Sequence, residues 1–178
     1  TGLPYIDAVL LDEWHAPEGT GAQFVEPVLR LSPGRICYHP VPWAPALVLA
    51  PPFECNHYIT FGCFNNTSKL NTQVFDVWAR VLSAVPSAHL ILKWRTFNDE
   101  VFRGQVTNEF VRRGIAPERI ELRGPSFHAD LLKEYADLDI AFDPFPFTGG
   151  LTSCEALWMG VPVVTWPQSR VVSRQTHA

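Results

Sequence analysis

From residue 58 onward, short apolar runs alternate with segments of helical hydrophobic spacing, and this alternation restricts the chain to very few folds. Residues 58–64 (YITFGCF) read as a strand ending at Asn65 and Asn66. Asn71 or Thr72 then caps a helix carrying Val74, Val77, Trp78, Val81, Leu82 and Val85, which Pro86 stops. Residues 89–94 (HLILKW) form a second strand. Asn98 or Asp99 opens the next helix, with Val101, Phe102, Val106 and Phe110 inward and Gly114 as its C′ residue. A third strand is expected at 120–122, a helix at 129–138, a fourth strand at 140–142, a helix at 153–159 ended by Gly160, and a fifth strand at 161–166. Strands joined through helices require right-handed crossovers, so the expected fold is α/β: a Rossmann-like, doubly wound parallel sheet with helices on both faces. No internal repeat interrupts it.

The first third of the chain reads differently. Seven of the 16 prolines lie between Pro27 and Pro52, where fixed φ and missing amide donors favour a linker over sheet or helix. Before it, 6–11 (IDAVLL) reads as a short strand and 25–31 as a short helix or strand. The expected division is therefore 1–52 and 53–178. At 178 residues and 47% hydrophobic, the chain has mass for one core, or one core plus part of another. Its net charge of −4 provides no overall basic field, so neither nucleic acid nor an anionic membrane is an expected partner. No apolar run approaches the roughly 20 residues that span a bilayer. Cys37, Cys55, Cys63 and Cys154 are scattered without a CxxC pair, which suits a reduced, cytoplasmic protein. The chain opens at Thr1 without a signal-like segment and closes soon after Arg174, so it is expected to be part of a longer enzyme.

Doubly wound sheets bind ligands beyond the carboxyl ends of their strands, which directs attention to the loops there. After the first main strand, Asn65-Asn66-Thr67-Ser68-Lys69 offers amides, hydroxyls and one ammonium. It suits phosphate or ribose oxygens, or is a solvated loop with a cap. After the fourth, 143–153 (DPFPFTGGLTS) runs into Cys154-Glu155-Ala156-Leu157-Trp158. Gly149 and Gly150 admit close backbone approach, and Thr152 and Ser153 stand at a helix start, where free amides favour an anion. Glu155, one turn in, has the reach to accept from two vicinal sugar hydroxyls; a Gly-rich turn with a plain N-cap is the alternative. The loop is not a Walker A motif, and no GxGxxG is present.

Other groups read as structural. Asp137-Leu138-Asp139 has a DxD spelling but lies at the amino end of the fourth strand, so no metal site is expected there. His128 precedes a helix at the ligand edge, within reach of a base or as a cap, and Lys93 ends the second strand at that edge. His15, His39, His57 and His89 have no partner at useful spacing, and no catalytic base is named. Trp78 and Trp158 are expected in the core.

Together, 61–69 (FGCFNNTSK), 143–165 (DPFPFTGGLTSCEALWMGVPVVT) and Ser173-Arg174 strongly resemble the carboxyl-terminal catalytic lobe of the O-GlcNAc transferase family, glycosyltransferase family 41, and most of all its bacterial members. Residues 1–7 resemble the tail of that family's amino-terminal lobe. The resemblance spans essentially the whole chain. It implies a GT-B architecture of two Rossmann-like lobes, with a UDP-sugar held mainly by the second and an acceptor peptide between them. The implied reaction is inverting, metal-free transfer of GlcNAc or a related sugar from a UDP-sugar to Ser or Thr, without a cofactor. Tetratricopeptide repeats usually precede the catalytic region. By position, Asn66 and Lys69 correspond to residues on the nucleotide diphosphate, with Lys69 offsetting leaving-group charge. Gly149, Gly150, Leu151 and Thr152 fall in the diphosphate loop, Glu155 on the ribose, and His128 near the uracil. The chain departs from the family at Leu151, where Thr is usual, and at Leu131, where a His packs on uracil. The same architecture serves UDP-GlcNAc epimerases and other glycan or small-molecule transferases, and a non-catalytic nucleotide-sugar sensor is a further alternative.

Overall fold

Val9–Leu11 (β1) and Val28–Arg30 (β2) pair in parallel as a small separate sheet, with Val9 opposite Val28. The computed structural model describes residues 2–3 and 5–177; Thr1 and Pro4 of the opening heptapeptide, and Ala178, lie outside the described residues. Strand β2 falls within 25–31, expected as a short helix or strand: Pro27 precedes the paired residues and removes no ladder donor from them. Further along the proline-rich stretch the chain is irregular until one helical turn, Phe53–Asn56 (α1).

The main sheet has five parallel strands: Thr60–Cys63 (β3), His89–Lys93 (β4), Ile120–Arg123 (β5), Ile140–Phe142 (β6) and Val163–Val164 (β7), in the order β5-β4-β3-β6-β7. The fifth strand is much shorter than the expected 161–166. Asn71 caps Thr72–Ala84 (α2), its side chain accepting from the Val74 amide at 3.1 Å. Asp99 caps Glu100–Val111 (α3) by accepting from Val101 and Phe102. Beyond α3, Gly114 takes φ 80° and the Ile115 amide returns to the Phe110 carbonyl at 3.1 Å, the closure that a left-handed residue permits. His128–Glu134 (α4) and Leu151–Trp158 (α5) complete the set.

Helices cover both faces. Val74, Trp78, Leu82, Val106 and Phe110 of α2 and α3 bury one face with Leu90, Leu92 and Phe142. Leu132, Tyr135, Ala156 and Met159 bury the other with Phe64, Ile91 and Ala141. Phe142 stacks on Phe61 at 4.4 Å and on Trp78 at 5.5 Å, so the centre of the sheet is clamped by aromatic faces. Trp78 is core as expected, but Trp158 is 46% exposed. Ala156 and Met159 take the buried strip of α5, leaving Trp158 beside it against Tyr38. Val101, also expected inward, is exposed, because the buried α3 residues recur at i and i+4 through Val106 and Phe110, one position round.

This strand order reverses direction between β3 and β6. Chain from β3 moves outward through β4 and β5, then returns through α4 to the other side of β3. The loops leaving β3 and β6 therefore diverge and open a crevice between them.

Candidate functional site

The crevice is tied across by one ammonium. Asn66 caps a 3-10 turn, Thr67–Lys69, by accepting from the Ser68 amide at 3.0 Å, which brings Lys69 back over the strand end. Lys69 Nζ donates to Asn65 Oδ1 and to the Thr148 carbonyl, each at 2.9 Å, and stands 4.7 Å from the Phe147 ring centroid. Two of its three N–H groups are used by these bonds. Half-burial lowers the Lys69 pKa, opposed by the nearby carboxylate of Asp143. Asn65 Oδ1 also accepts from the Thr152 hydroxyl at 3.0 Å, so a single oxygen joins both loops to α5.

Asp143 shapes the second loop. Its carboxylate, 3% exposed, accepts from the Gly149 amide at 2.6 Å and from the Thr165 hydroxyl at 2.7 Å. Burial raises its pKa, opposed by the Thr176 and Thr165 hydroxyls, the Gly149 amide and Lys69. A Cβ on Gly149 would overlap Ser153 Oγ and stand 3.0 Å from Asp143 Oδ1, which explains the glycine. Past it, Gly150 begins α5 without a side-chain cap. Among the described residues, no protein acceptor meets the amides of Gly150, Leu151 and Thr152. These are the first amides of an eight-residue helix, where the dipole adds partial positive charge. Leu151 is 64% exposed, and an apolar side chain leaves only its backbone N–H to donate to an anion.

One turn further, Glu155 is buried and its Oε1 receives His128 Nε2 at 2.7 Å. His128 is the first residue of α4 and caps nothing; Phe127 holds the N-cap position. The sequence expectation of a cap at His128 is thus replaced by a cross-helix bond. Its other nitrogen, Nδ1, receives the Trp43 indole N–H at 3.2 Å. Beside α4, the ends of β4 and β5 enclose a cavity of about 220 Å³ lined by Lys93, Trp94, Arg95, Pro125, Ser126 and Leu131. Lys93 is buried there, donating to the Gly124 carbonyl and pairing with Glu134 at 2.8 Å.

All the sequence-selected residues, Asn66, Lys69, His128, Gly149, Gly150, Leu151, Thr152 and Glu155, therefore lie on loops and helix starts at one edge of the sheet. Sequence reasoning placed Asn65 and Asp143 in the two candidate loops without giving either an individual role, and missed Trp43. An acidic residue directly after an apolar strand, six positions before Gly149-Gly150, was the available signal for Asp143. The reading of His15 as partnerless is corrected: its Nδ1 meets both Asp12 oxygens at 2.8 and 2.9 Å, within a tight turn. The DxD residues are engaged elsewhere. Asp139 accepts from the Phe53 and Thr60 amides, and Asp137 pairs with Arg123.

Known proteins resemble this chain in sequence and fold. The model of glycosyl transferase family 41 matches residues 54–178. A probable UDP-N-acetylglucosamine–peptide N-acetylglucosaminyltransferase SPINDLY from Oryza sativa subsp. japonica is 39% identical over 167 residues, covering 93% of this chain and 18% of that protein. The SEC protein of Arabidopsis thaliana, with the same enzyme name, is 24% identical over 115 residues, or 64% of this chain and 11% of its own length. Among solved structures, a K341M mutant of Thermobaculum terrenum O-GlcNAc transferase superposes with a TM-score of 0.90 at 37% identity, over 96% of this chain and 32% of that one. The chain thus spans about a fifth of the length of the curated relatives it matches most fully.

Proposed function

The chain belongs to glycosyltransferase family 41, and from that premise we propose that it supplies the donor-binding part of an inverting transferase that moves GlcNAc from UDP-GlcNAc to Ser or Thr hydroxyls of proteins. The observation that carries this reading is the set of unpaired amides at Gly150, Leu151 and Thr152 beside the Lys69 ammonium, at the point where the strand order reverses. That combination fits a diphosphate: backbone donors, a helix start and one cation converge on an anion.

The neighbouring groups fit the rest of a nucleotide. Glu155 Oε2 makes no hydrogen bond to protein among the described residues, which supports a role in accepting from a ribose hydroxyl. The 220 Å³ cavity beyond α4 accommodates a base, with Leu131 and Trp94 as apolar walls. In the reaction, the acceptor oxygen forms a bond to the anomeric carbon, the bond from that carbon to the β-phosphate oxygen breaks, and the acceptor proton passes to a base. Negative charge grows on the departing diphosphate, where Lys69 and the α5 amides oppose it without a metal ion. The acceptor polypeptide lies between this lobe and another, which supplies the base, and upstream tetratricopeptide repeats in a cytoplasmic protein complete the proposed enzyme. The test is transfer to a Ser/Thr peptide panel by the whole protein with a panel of nucleotide sugars, read by mass spectrometry. Transfer from UDP-GlcNAc that is lost in Lys69→Met supports the reading; no transfer from any UDP-sugar opposes it.

A further inference from the structure

Lys93 ends β4 with its side chain only 4% exposed. Its Nζ donates to the Gly124 carbonyl and to Glu134 Oε1, each at 2.8 Å. An ammonium has three N–H groups, and among the described residues the third meets no acceptor. Ser126 marks the open space beside it. Its hydroxyl donates to the same Glu134 oxygen at 2.9 Å, so Ser126 Oγ and Lys93 Nζ stand side by side. Both residues line the cavity of about 220 Å³ whose apolar walls are Trp94 and Leu131. With its proton committed to Glu134, Ser126 Oγ keeps lone pairs that can accept. The cavity wall therefore offers one donor next to one acceptor.

We propose that Lys93 is a specificity-determining residue of the base subsite, its third N–H donating to a base carbonyl while Ser126 Oγ accepts from the ring N–H beside that carbonyl. The inference rests on the donor reading above for the presence of a nucleotide. A carbonyl next to a ring N–H is the edge that uracil and guanine share. Cytosine and adenine present an amino group and a bare ring nitrogen instead. Their amino hydrogens would face the ammonium, and the ring nitrogen would face the Ser126 lone pairs. The apolar walls do not distinguish these bases, so the choice falls to the polar pair. Rejection is strong because the wrong base leaves a buried charged donor without a partner.

Calorimetric titration of the whole protein with UDP, GDP, CDP, ADP and pyrophosphate tests this. The wild type should bind UDP or GDP at least about a hundred-fold more tightly than CDP and ADP. Lys93→Met keeps a long stem and removes the donors. Affinity for the preferred nucleotide should then fall roughly ten- to hundred-fold, while CDP, ADP and pyrophosphate change less than about two-fold. Ser126→Ala, at an exposed position, leaves the Lys93–Glu134 pair in place and should weaken the preferred nucleotide roughly three- to ten-fold. An undiminished preference in Lys93→Met, or in Ser126→Ala where Lys93→Met does not fold, overturns the proposal. So does equal weakening of every ligand, pyrophosphate included. A preference for GDP over UDP that Lys93→Met abolishes supports the role of Lys93 and turns the donor reading from uridine to guanosine. A wild type that binds all four nucleotides equally overturns the role of Lys93 and leaves the diphosphate site standing; one that binds none refutes both.

Discussion

Lys69 Nζ lies 2.9 Å from the carbonyl oxygen of Thr148, 79 residues along the chain, and so binds together the loops that leave β3 and β6. β3 and β6 pair through Phe61–Ile140 and Gly62–Ala141, and among the described residues the ladder between them does not continue into the loops beyond. The ammonium ties the two sides of the crevice together, and it retains one N–H for an incoming oxygen.

Removing that ammonium should weaken nucleotide binding. A charge-assisted contact to phosphate contributes about 1.5–3 kcal/mol, so Lys69→Ala should lower UDP affinity by about one to two decades, measured by calorimetry. Unchanged affinity with an intact fold would remove Lys69 from the site.

Glu155 should distinguish ribose from phosphate. Glu155→Ala should weaken UDP about ten-fold or more through loss of a charged hydrogen bond, while pyrophosphate binds as before or slightly better, because a carboxylate near a helix start repels anions. Parallel titrations with UDP and pyrophosphate measure the split. Equal or improved UDP binding would make Glu155 a purely structural partner of His128.

Lys69 should also take up protons on binding. Burial lowers its pKa from the ordinary 10.5, and a bound diphosphate raises it again. At pH values between the lowered and the restored pKa, free protein carries a neutral amine and the complex an ammonium. UDP binding should therefore be accompanied by proton uptake in alkaline solution and weaken as pH rises through the lowered pKa. Calorimetry in buffers of different ionisation enthalpy gives the sign, and Lys69→Met should abolish the uptake.

The Asp12–His15 pair should make the fold acid-sensitive. Burial pushes the Asp12 carboxyl up, but the amides of His15 and Arg35 and the His15 ring outweigh it and hold the pKa at about 2 instead of 3.8. At about 1.4 kcal/mol per pH unit, that contributes roughly 2 kcal/mol, present above pH 3.8 and lost as pH falls toward 2. His15 acts in the same direction at milder acidity: burial lowers its pKa below 6.5, so the unfolded chain takes up the proton first. Denaturant midpoints across pH should fall in two stages in the wild type, and Asp12→Asn should lose the lower stage.

Sequence pattern carried the elements whose signals are local. Asn71 and Asp99 announce their helices because each has a side-chain oxygen that satisfies the first free amides. Residues 140–142 are a short apolar run between a helix and a Pro/Gly-rich loop, the setting of a buried strand, which they form. Errors arose where neighbours decide. Asn65 and Asn66 have the same chemistry and adjacent positions, and only the three-dimensional loop shows that Asn65 bridges to Thr152 while Asn66 caps locally. Asp12 and His15 meet through a non-helical turn that no periodicity signals. Trp43 lies among prolines without regular spacing, so its bond to His128, 85 residues away, has no trace in the pattern.

A crystal structure of the chain with UDP tests the central claim most directly. The account predicts diphosphate oxygens within about 3.2 Å of the Gly150, Leu151 and Thr152 amides and of Lys69 Nζ, with a ribose hydroxyl on Glu155 Oε2. UDP seated elsewhere, such as the groove between α2 and α3 lined by Thr67, Phe75 and Gln105, with those amides still free, would contradict it.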